Sequence, residues 1–254
     1  MKRSLIFGYG ALSYLLFFGT FLYFIGFVGN LTPVAIDSPR QAALGPALLV
    51  NLALIALFGV QHSVMARKPF KRWITRYIPE AAERSTFVLA ATVCLAFLMY
   101  RWEPLGGMVW QVSGTGARAA LYALFGFGWV LVFGSTFAIN HFDLFGLRQS
   151  WSAFMGRRYE PLRFRTPWLY RLVRHPLYLG FFFALWATPV MSAAHLVLAL
   201  GMTAYVVFAV QLEERDLAAE HPEYARYRSQ VPMFVPGVGG SRGVDSHLSA
   251  QRHQ

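Results

Sequence analysis

From residue 177 to residue 212 the chain carries no Lys, Arg, Asp or Glu. A membrane helix needs about 20 apolar residues to cross a hydrocarbon core of about 30 Å, so this run is too long for one crossing. Thr188-Pro189 interrupts it, since proline removes a backbone donor and clashes with the preceding turn. The run therefore reads as a helical hairpin, with a short arm over 177–187 and a long arm over 192–212. Four earlier apolar runs, 5–28, 47–66, 84–100 and 117–139, each read as one span. The first is too long for a signal-peptide core and is followed by no clear small-residue cleavage site. The expected fold class is all-α, a polytopic membrane helix bundle of four spans plus a C-terminal helical hairpin. With 56% of residues hydrophobic and only 14% charged, a soluble core is excluded.

The formal net charge of +11 raises the question of nucleic acid. Its distribution answers it. With the N-terminus in the cytoplasm, the inner side takes two basic residues at the start, six over 67–84, seven over 148–174 and five from Arg215 onward, 20 of the 23. The outer side keeps Arg40, Arg101 and Arg118. That asymmetry is the positive-inside pattern, and it places both termini in the cytoplasm with no nucleic-acid partner required. The single cysteine, Cys94, lies inside an apolar run and cannot form an internal disulfide. No Cys/His spacing reads as zinc, so no metal is expected. No internal repeat of the inverted transporter type is visible. No oligomer is indicated. Residues 1–236 read as one membrane domain, and the Gly/Ser-rich stretch 237–254 as a disordered tail.

On this layout the inner ends of the spans collect Gln61, His62, Asn140, His141, Asp143, Arg174, His175, Tyr178, Glu213 and Glu214. Ionisable groups at membrane depth are costly and face a bundle interior or a wet cavity. Helix ends attract polar residues in any case, but five of them here carry His, acid or amide groups rather than Lys and Arg alone. The densest stretch is Arg174-His175-Pro176-Leu177-Tyr178-Leu179-Gly180. Pro176 suits the first helical position, where its missing N–H costs nothing. The free N–H groups behind it favour an anion. Taken alone, the stretch reads equally as a juxtamembrane anchor. Two readings of the cluster stand at this point. His62, His141, His175 and His195 offer imidazoles for haem, although His195 falls at the opposite surface. Alternatively the cluster binds a charged small molecule from the cytoplasm. A soluble nucleotide fold is absent, and Gly126-Phe127-Gly128, inside an apolar helix, reads as close helix packing.

The run 170–180, an apolar hairpin, Glu213-Glu214, then Tyr224, Tyr227, Val231-Pro232 and Pro236 resembles the C-terminal half of the integral-membrane methyltransferases related to isoprenylcysteine carboxyl methyltransferase and phospholipid methyltransferases. The run 61–67 is similar to a segment of NnrU-like membrane proteins, and 135–149 resembles the bacterial methanethiol S-methyltransferases. The resemblance implies S-adenosylmethionine as methyl donor and methylation of methanethiol to dimethyl sulfide in the bacterial inner membrane. It assigns donor binding to Tyr170, Val173, Arg174, His175, Tyr178, Gly180, Glu213 and Glu214. It also divides the chain into a thiol-pocket half, 1–143, and a donor-binding half, 144–236. Two alternatives stay open: a lipid or prenylcysteine acceptor, and a non-enzymatic haem-binding or transport protein like the NnrU relatives.

The residues suit that chemistry. Arg174, His175 and the helix start suit a carboxylate, and Glu213 and Glu214 an ammonium or ribose. Tyr178 suits a sulfonium through its ring face. A cysteine thiol titrates near about 8.5, and an unactivated alkyl thiol is no more acidic. A base or a nearby cation is therefore needed. His141, oriented by Asp143, is the first candidate base and His62 the second. His141 and Asp143 face one way only if the helix unwinds after Asn140. Arg148 and Arg67 are the candidate cations. Methanethiol and dimethyl sulfide are small and apolar, so the bilayer offers them a lateral path while the charged donor exchanges with the cytoplasm.

Overall fold

A computed structural model describes residues 2–38 and 43–237. The outer-side Arg40 and the tail from residue 238 lie outside the described residues. The chain forms α1 (Lys2–Val28), α2 (Leu44–Ala66), α3 (Lys68–Ile74), α4 (Glu80–Arg101), β1 (Met108–Gln111), α5 (Thr115–Ile139), α6 (His141–Leu144), α7 (Leu147–Phe154), α8 (Pro176–Trp186), β2 (Val190–Ser192), α9 (Ala193–Glu220) and α10 (Glu223–Gln230). The protein is an all-α polytopic membrane bundle. Helices α1, α2, α4, α5 and α9 are long and apolar enough to cross a bilayer. Helix α8 has 11 residues, about half a crossing at about 1.5 Å per residue.

Packing follows small residues and aromatic wedges. Helices α5 and α8 run together, α1 packs on α4 and α7, and α2 on α4 and α9. The α5–α8 contact is backbone against backbone. A Cβ built on Gly128 would stand 2.6 Å from the Ala184 nitrogen and 2.7 Å from the Gly180 oxygen. One built on Gly180 would meet the Gly128 oxygen at 2.7 Å. Only glycine at both positions allows this approach. The core gathers Phe21 and Phe24 of α1 around Trp129 of α5, and Phe27 against Trp102, with Leu98 and Leu198 fully buried. Phe21 and Trp129 meet edge-on at 5.4 Å, an arrangement worth about 0.5–1.5 kcal/mol beyond the area it buries. Asn51, buried in α2, is satisfied by the backbone just past α4. Its amide nitrogen donates to the Glu103 oxygen at 2.7 Å, and its oxygen accepts from the Glu103 N–H at 2.9 Å. That pair locks two spans in register, because an unpaired buried amide would be costly.

Three features differ from the sequence expectation. A two-stranded antiparallel ribbon, β1 with β2, pairs Trp110 with Met191 at the far end of the hairpin. Four residues between glycine turns carry too little alternation to announce a strand. Helix α9 also runs to Glu220 rather than ending at residue 212. Its last turns lie beside α2 and α3, where Asp216 pairs with Arg67 at 2.6 Å and Glu220 with Lys68 at 2.9 Å. Finally, the 67–83 loop contains α3, begun by Pro69 in its first turn. Pro176 occupies the first turn of α8 as expected.

Candidate active site

One end of the bundle encloses a cavity of about 640 Å³, within the range of small-molecule sites. Its wall joins the two halves of the chain: His62, Arg84 and His141 from the first, His175, Tyr178 and Glu213 from the second. Phe17 and Phe21 of α1, Phe87 of α4 and Phe133 of α5 give it an aromatic, apolar body. Six of the ten polar groups at the span ends, His62, His141, Arg174, His175, Tyr178 and Glu213, thus line one chamber.

The second half is built around Glu214. Its carboxylate is 4% exposed, Arg174 8% and His175 5%. Arg174 Nε donates to Glu214 Oε1 at 2.7 Å, and His175 Nε2 bonds the same oxygen at 2.9 Å. Arg228 reaches Oε2 at 3.5 Å. Arg174 Nη1 also donates to the carbonyls of Arg228, 3.0 Å, and Val231, 2.6 Å, which end α10 and would otherwise lack partners. The backbone completes the tie: Arg174 N–H donates to the Pro232 oxygen at 2.8 Å and His175 N–H to that of Met233 at 3.2 Å. Arg174, His175 and Arg228 therefore all hold the one Glu214 carboxylate.

Glu213 behaves differently. Tyr178 donates its hydroxyl to Glu213 Oε2 at 2.8 Å. No cation lies within ion-pair distance of Glu213 among the described residues. Neighbours in sequence, Glu213 and Glu214 lie about 100° apart around α9. One closes the fold and the other faces the cavity. The phenols nearby stay protonated. Burial, with the Glu213 charge next, raises Tyr170. Burial pushes Tyr227 up to about 12, and its hydroxyl donates to the Tyr170 oxygen at 2.6 Å.

In the first half, α5 ends at Asn140, whose side-chain oxygen accepts the Asp143 N–H at 3.1 Å. The helix does unwind there, yet His141 and Asp143 part company. His141 is 3% exposed. Its Nδ1 lies 2.9 Å from Thr136 Oγ1 and its Nε2 2.8 Å from the Tyr14 hydroxyl. Thr136 spends its one proton on the Phe133 oxygen, 2.7 Å away. Its oxygen must then accept from Nδ1–H, which leaves Nε2 as the acceptor from Tyr14. Burial lowers the His141 pKa and favours this neutral ring. Asp143 instead accepts from Arg148 at 2.9 Å and from the Tyr159 hydroxyl at 2.9 Å. The expected His141–Asp143 pair is replaced by a Tyr14–His141–Thr136 chain, because the Asp143 carboxylate finds a cation closer to hand.

Gln61, Asn140, Asp143, Val173, Gly180 and Glu214 stand outside the cavity wall. Gly180 serves the α5–α8 contact, and Val173 is buried among apolar groups. His62 lines the wall with its ring centre 4.8 Å from that of Phe87, in an edge-on arrangement, and makes no hydrogen bond among the described residues. The two cations expected near the thiol are both neutralised, Arg148 by Asp143 and Arg67 by Asp216. Sequence reasoning missed Arg84, which it counted only as the last charge of a basic loop. Its Nε donates to the Leu144 oxygen at 2.7 Å, and its guanidinium lies 4.8 Å from the centre of the Phe87 ring. The acidic first turn Glu80-Ala81-Ala82-Glu83, which marks a helix start just before Arg84, is the signal that was available.

The model of the NnrU protein family matches residues 50–240. The chain is 47% identical over 241 residues to the methanethiol S-methyltransferase of Crocosphaera subtropica, covering 94% of each chain. It is 50% identical over 238 residues to that of Mycobacterium tuberculosis, covering 93% of this chain and 98% of the relative. Nurim of Sus scrofa is 30% identical over 228 residues, 81% of this chain and 86% of its own. No solved structure gives a significant match.

Proposed function

The chain belongs to the NnrU protein family, and from that premise we propose that it is a membrane methyltransferase that uses S-adenosylmethionine to convert methanethiol to dimethyl sulfide. The observation that carries this reading is the cavity itself, in which an aromatic chamber meets a carboxylate with no cation of its own. The names of the relatives with 47% and 50% identity support the acceptor.

The residues fit the donor. S-Adenosylmethionine, when bound, supplies an electrophilic methyl group on a positively charged sulfur. Glu213 takes the donor's ammonium or ribose hydroxyls, a charge-assisted contact. Tyr178 holds Glu213 in place. Tyr170, on the same wall, adds an aromatic surface. Arg174 and His175 act one step back, since Glu214 occupies them. They fix α8 and α10 so that Tyr178 and Glu213 meet. The aromatic wall excludes water, and a reaction in which charge disappears gains from a dry site. His62 is the base this geometry favours, because among the described residues no hydrogen-bond partner competes for its ring. His141 orients the inner end of α5 and lines the chamber. The charge distribution supports a cytoplasmic-membrane location with this end toward the cytoplasm.

Headspace gas chromatography of cells expressing the protein and fed methanethiol tests the reading. Dimethyl sulfide well above that of a Glu213→Ala control supports it. Turnover of a long-chain acceptor only, or a Soret band with no S-adenosylhomocysteine binding, contradicts it in favour of a lipid methyltransferase or a haem protein. For the base, His62→Ala is expected to lower turnover at neutral pH by roughly 10²-fold or more. Its affinity for S-adenosylhomocysteine stays near wild type. Full turnover in His62→Ala across the pH range removes the assignment.

A further inference from the structure

Four arginines on the cavity wall are accounted for or open to solvent. Arg67 is paired with Asp216 and Arg174 with Glu214, while Arg163 and Arg165 are exposed. Arg84 is left. It sits in the first turns of α4, a membrane-spanning helix, where an unpaired charge is costly. Among the described residues no carboxylate lies within ion-pair distance of it, and its one hydrogen bond uses Nε, on the Leu144 oxygen. That bond fixes the side chain and leaves the two terminal nitrogens of the fork free. Phe87 is shared: the guanidinium lies 4.8 Å from its centre, and the His62 ring 4.8 Å from it. A cation and an unbonded imidazole therefore flank one phenyl ring in the same chamber.

Resting on the methyl-transfer reading above, we propose that Arg84 is the group that receives the acceptor's sulfur as a thiolate. His62 takes the thiol proton, and the Arg84 guanidinium holds the anion that remains. The sulfur lone pair then forms the new S–C bond to the donor's methyl. The donor's own S–C bond breaks, and its electron pair stays on the donor sulfur, which becomes a neutral thioether. The proton leaves later from His62 to solvent. No oxidant or reductant enters.

The position favours the thiolate over the donor's carboxylate. Arg84 is packed on Phe87, in the half that supplies the aromatic chamber, and anchored on the Leu144 oxygen where the two halves join. The carboxylates acting on Arg84 are Glu83 of its own helix, Asp143 of α6, which also accepts the Tyr159 hydroxyl, and Glu213 of α9, which lines the same cavity. His62 of α2 lines the same cavity and shares the Phe87 ring with it. Asp143 is committed to Arg148. That leaves Glu213 on the donor's cationic side and Arg84 on the acceptor's anionic side of one gap. Transfer in line needs this order, with the two sulfurs held on opposite sides of the methyl. A nearby cation also lowers a thiol's pKa, so the reactive form is populated at neutral pH.

The test is the pH profile of kcat/KM for methanethiol in wild type, Arg84→Lys and Arg84→Gln, with S-adenosylhomocysteine affinity measured on each purified protein. In Arg84→Gln the rising limb is expected to move to higher pH by about one unit or more, so the rate loss is greatest at low pH and narrows in alkali. Arg84→Lys keeps the charge and is expected to lie between the two. S-Adenosylhomocysteine affinity stays near wild type in both variants, which also reports that they fold. An unshifted profile in Arg84→Gln overturns the assignment. So does a loss of S-adenosylhomocysteine binding in both variants, which would give Arg84 to the donor's carboxylate or to the fold. A wild-type protein that makes no dimethyl sulfide overturns the functional reading and this inference together. Wild-type turnover with an unshifted variant overturns this inference alone.

Discussion

Glu214→Ala is expected to destabilise the protein by about 3–5 kcal/mol, the usual cost of stranding a buried cation. Arg174 and His175 would both lose the same carboxylate, inside a region where they are 8% and 5% exposed. The ends of α8 and α10 would then separate, since Arg174 is also what caps the Arg228 and Val231 carbonyls. Thermal unfolding in detergent should show a much lower midpoint, together with loss of S-adenosylhomocysteine binding. Glu213→Ala should do the reverse. Among the described residues its carboxylate has one hydrogen-bond partner, the Tyr178 hydroxyl, so the midpoint changes little. Ligand affinity should fall by about 1.5–3 kcal/mol, roughly ten- to a hundredfold, the worth of a hydrogen bond to a charged group. Equal unfolding midpoints for the two variants would refute the division of labour between these adjacent acids.

A second large effect is expected at the α5–α8 contact. Gly128→Leu places a side chain where even a Cβ would lie 2.6 Å from a backbone nitrogen of α8. No rotamer relieves a clash with main chain, so α8 must move. Overpacking costs typically about 1–3 kcal/mol. Here it also displaces Tyr178, near the start of α8, from Glu213. Gly126→Leu is the matched control, because a Cβ there meets nothing within 4 Å. The expected result is loss of S-adenosylhomocysteine binding in Gly128→Leu and its retention in Gly126→Leu. Retention in both would mean that α8 does not depend on this contact.

The spans were legible because apolar length alone nearly defines a membrane helix. Pro176 marked the start of α8 for an equally local reason. What stayed hidden depends on contacts between distant segments. Nothing in Glu213-Glu214 tells which acid turns inward; the answer lies in Arg174, forty residues away. His141 and Asp143 looked like a pair from their spacing, but Tyr14, at the other end of the chain half, holds His141. Arg84 is hidden in plain view because the apolar run alone starts the span at residue 84, whereas α4 begins at Glu80. Four residues of extra helix turn a loop charge into a cavity wall. The β1–β2 ribbon escaped because its strands are joined across the chain, not along it.

Transfer of a labelled methyl group tests the central claim most directly. Purified protein is supplied with S-adenosylmethionine carrying a trideuterated methyl and with unlabelled methanethiol, and the headspace is read by mass spectrometry. Dimethyl sulfide bearing one trideuterated methyl, made by wild type and strongly reduced in Glu213→Ala and His62→Ala, is the predicted result. Unlabelled dimethyl sulfide, or none, from wild-type protein that binds S-adenosylhomocysteine would contradict the account.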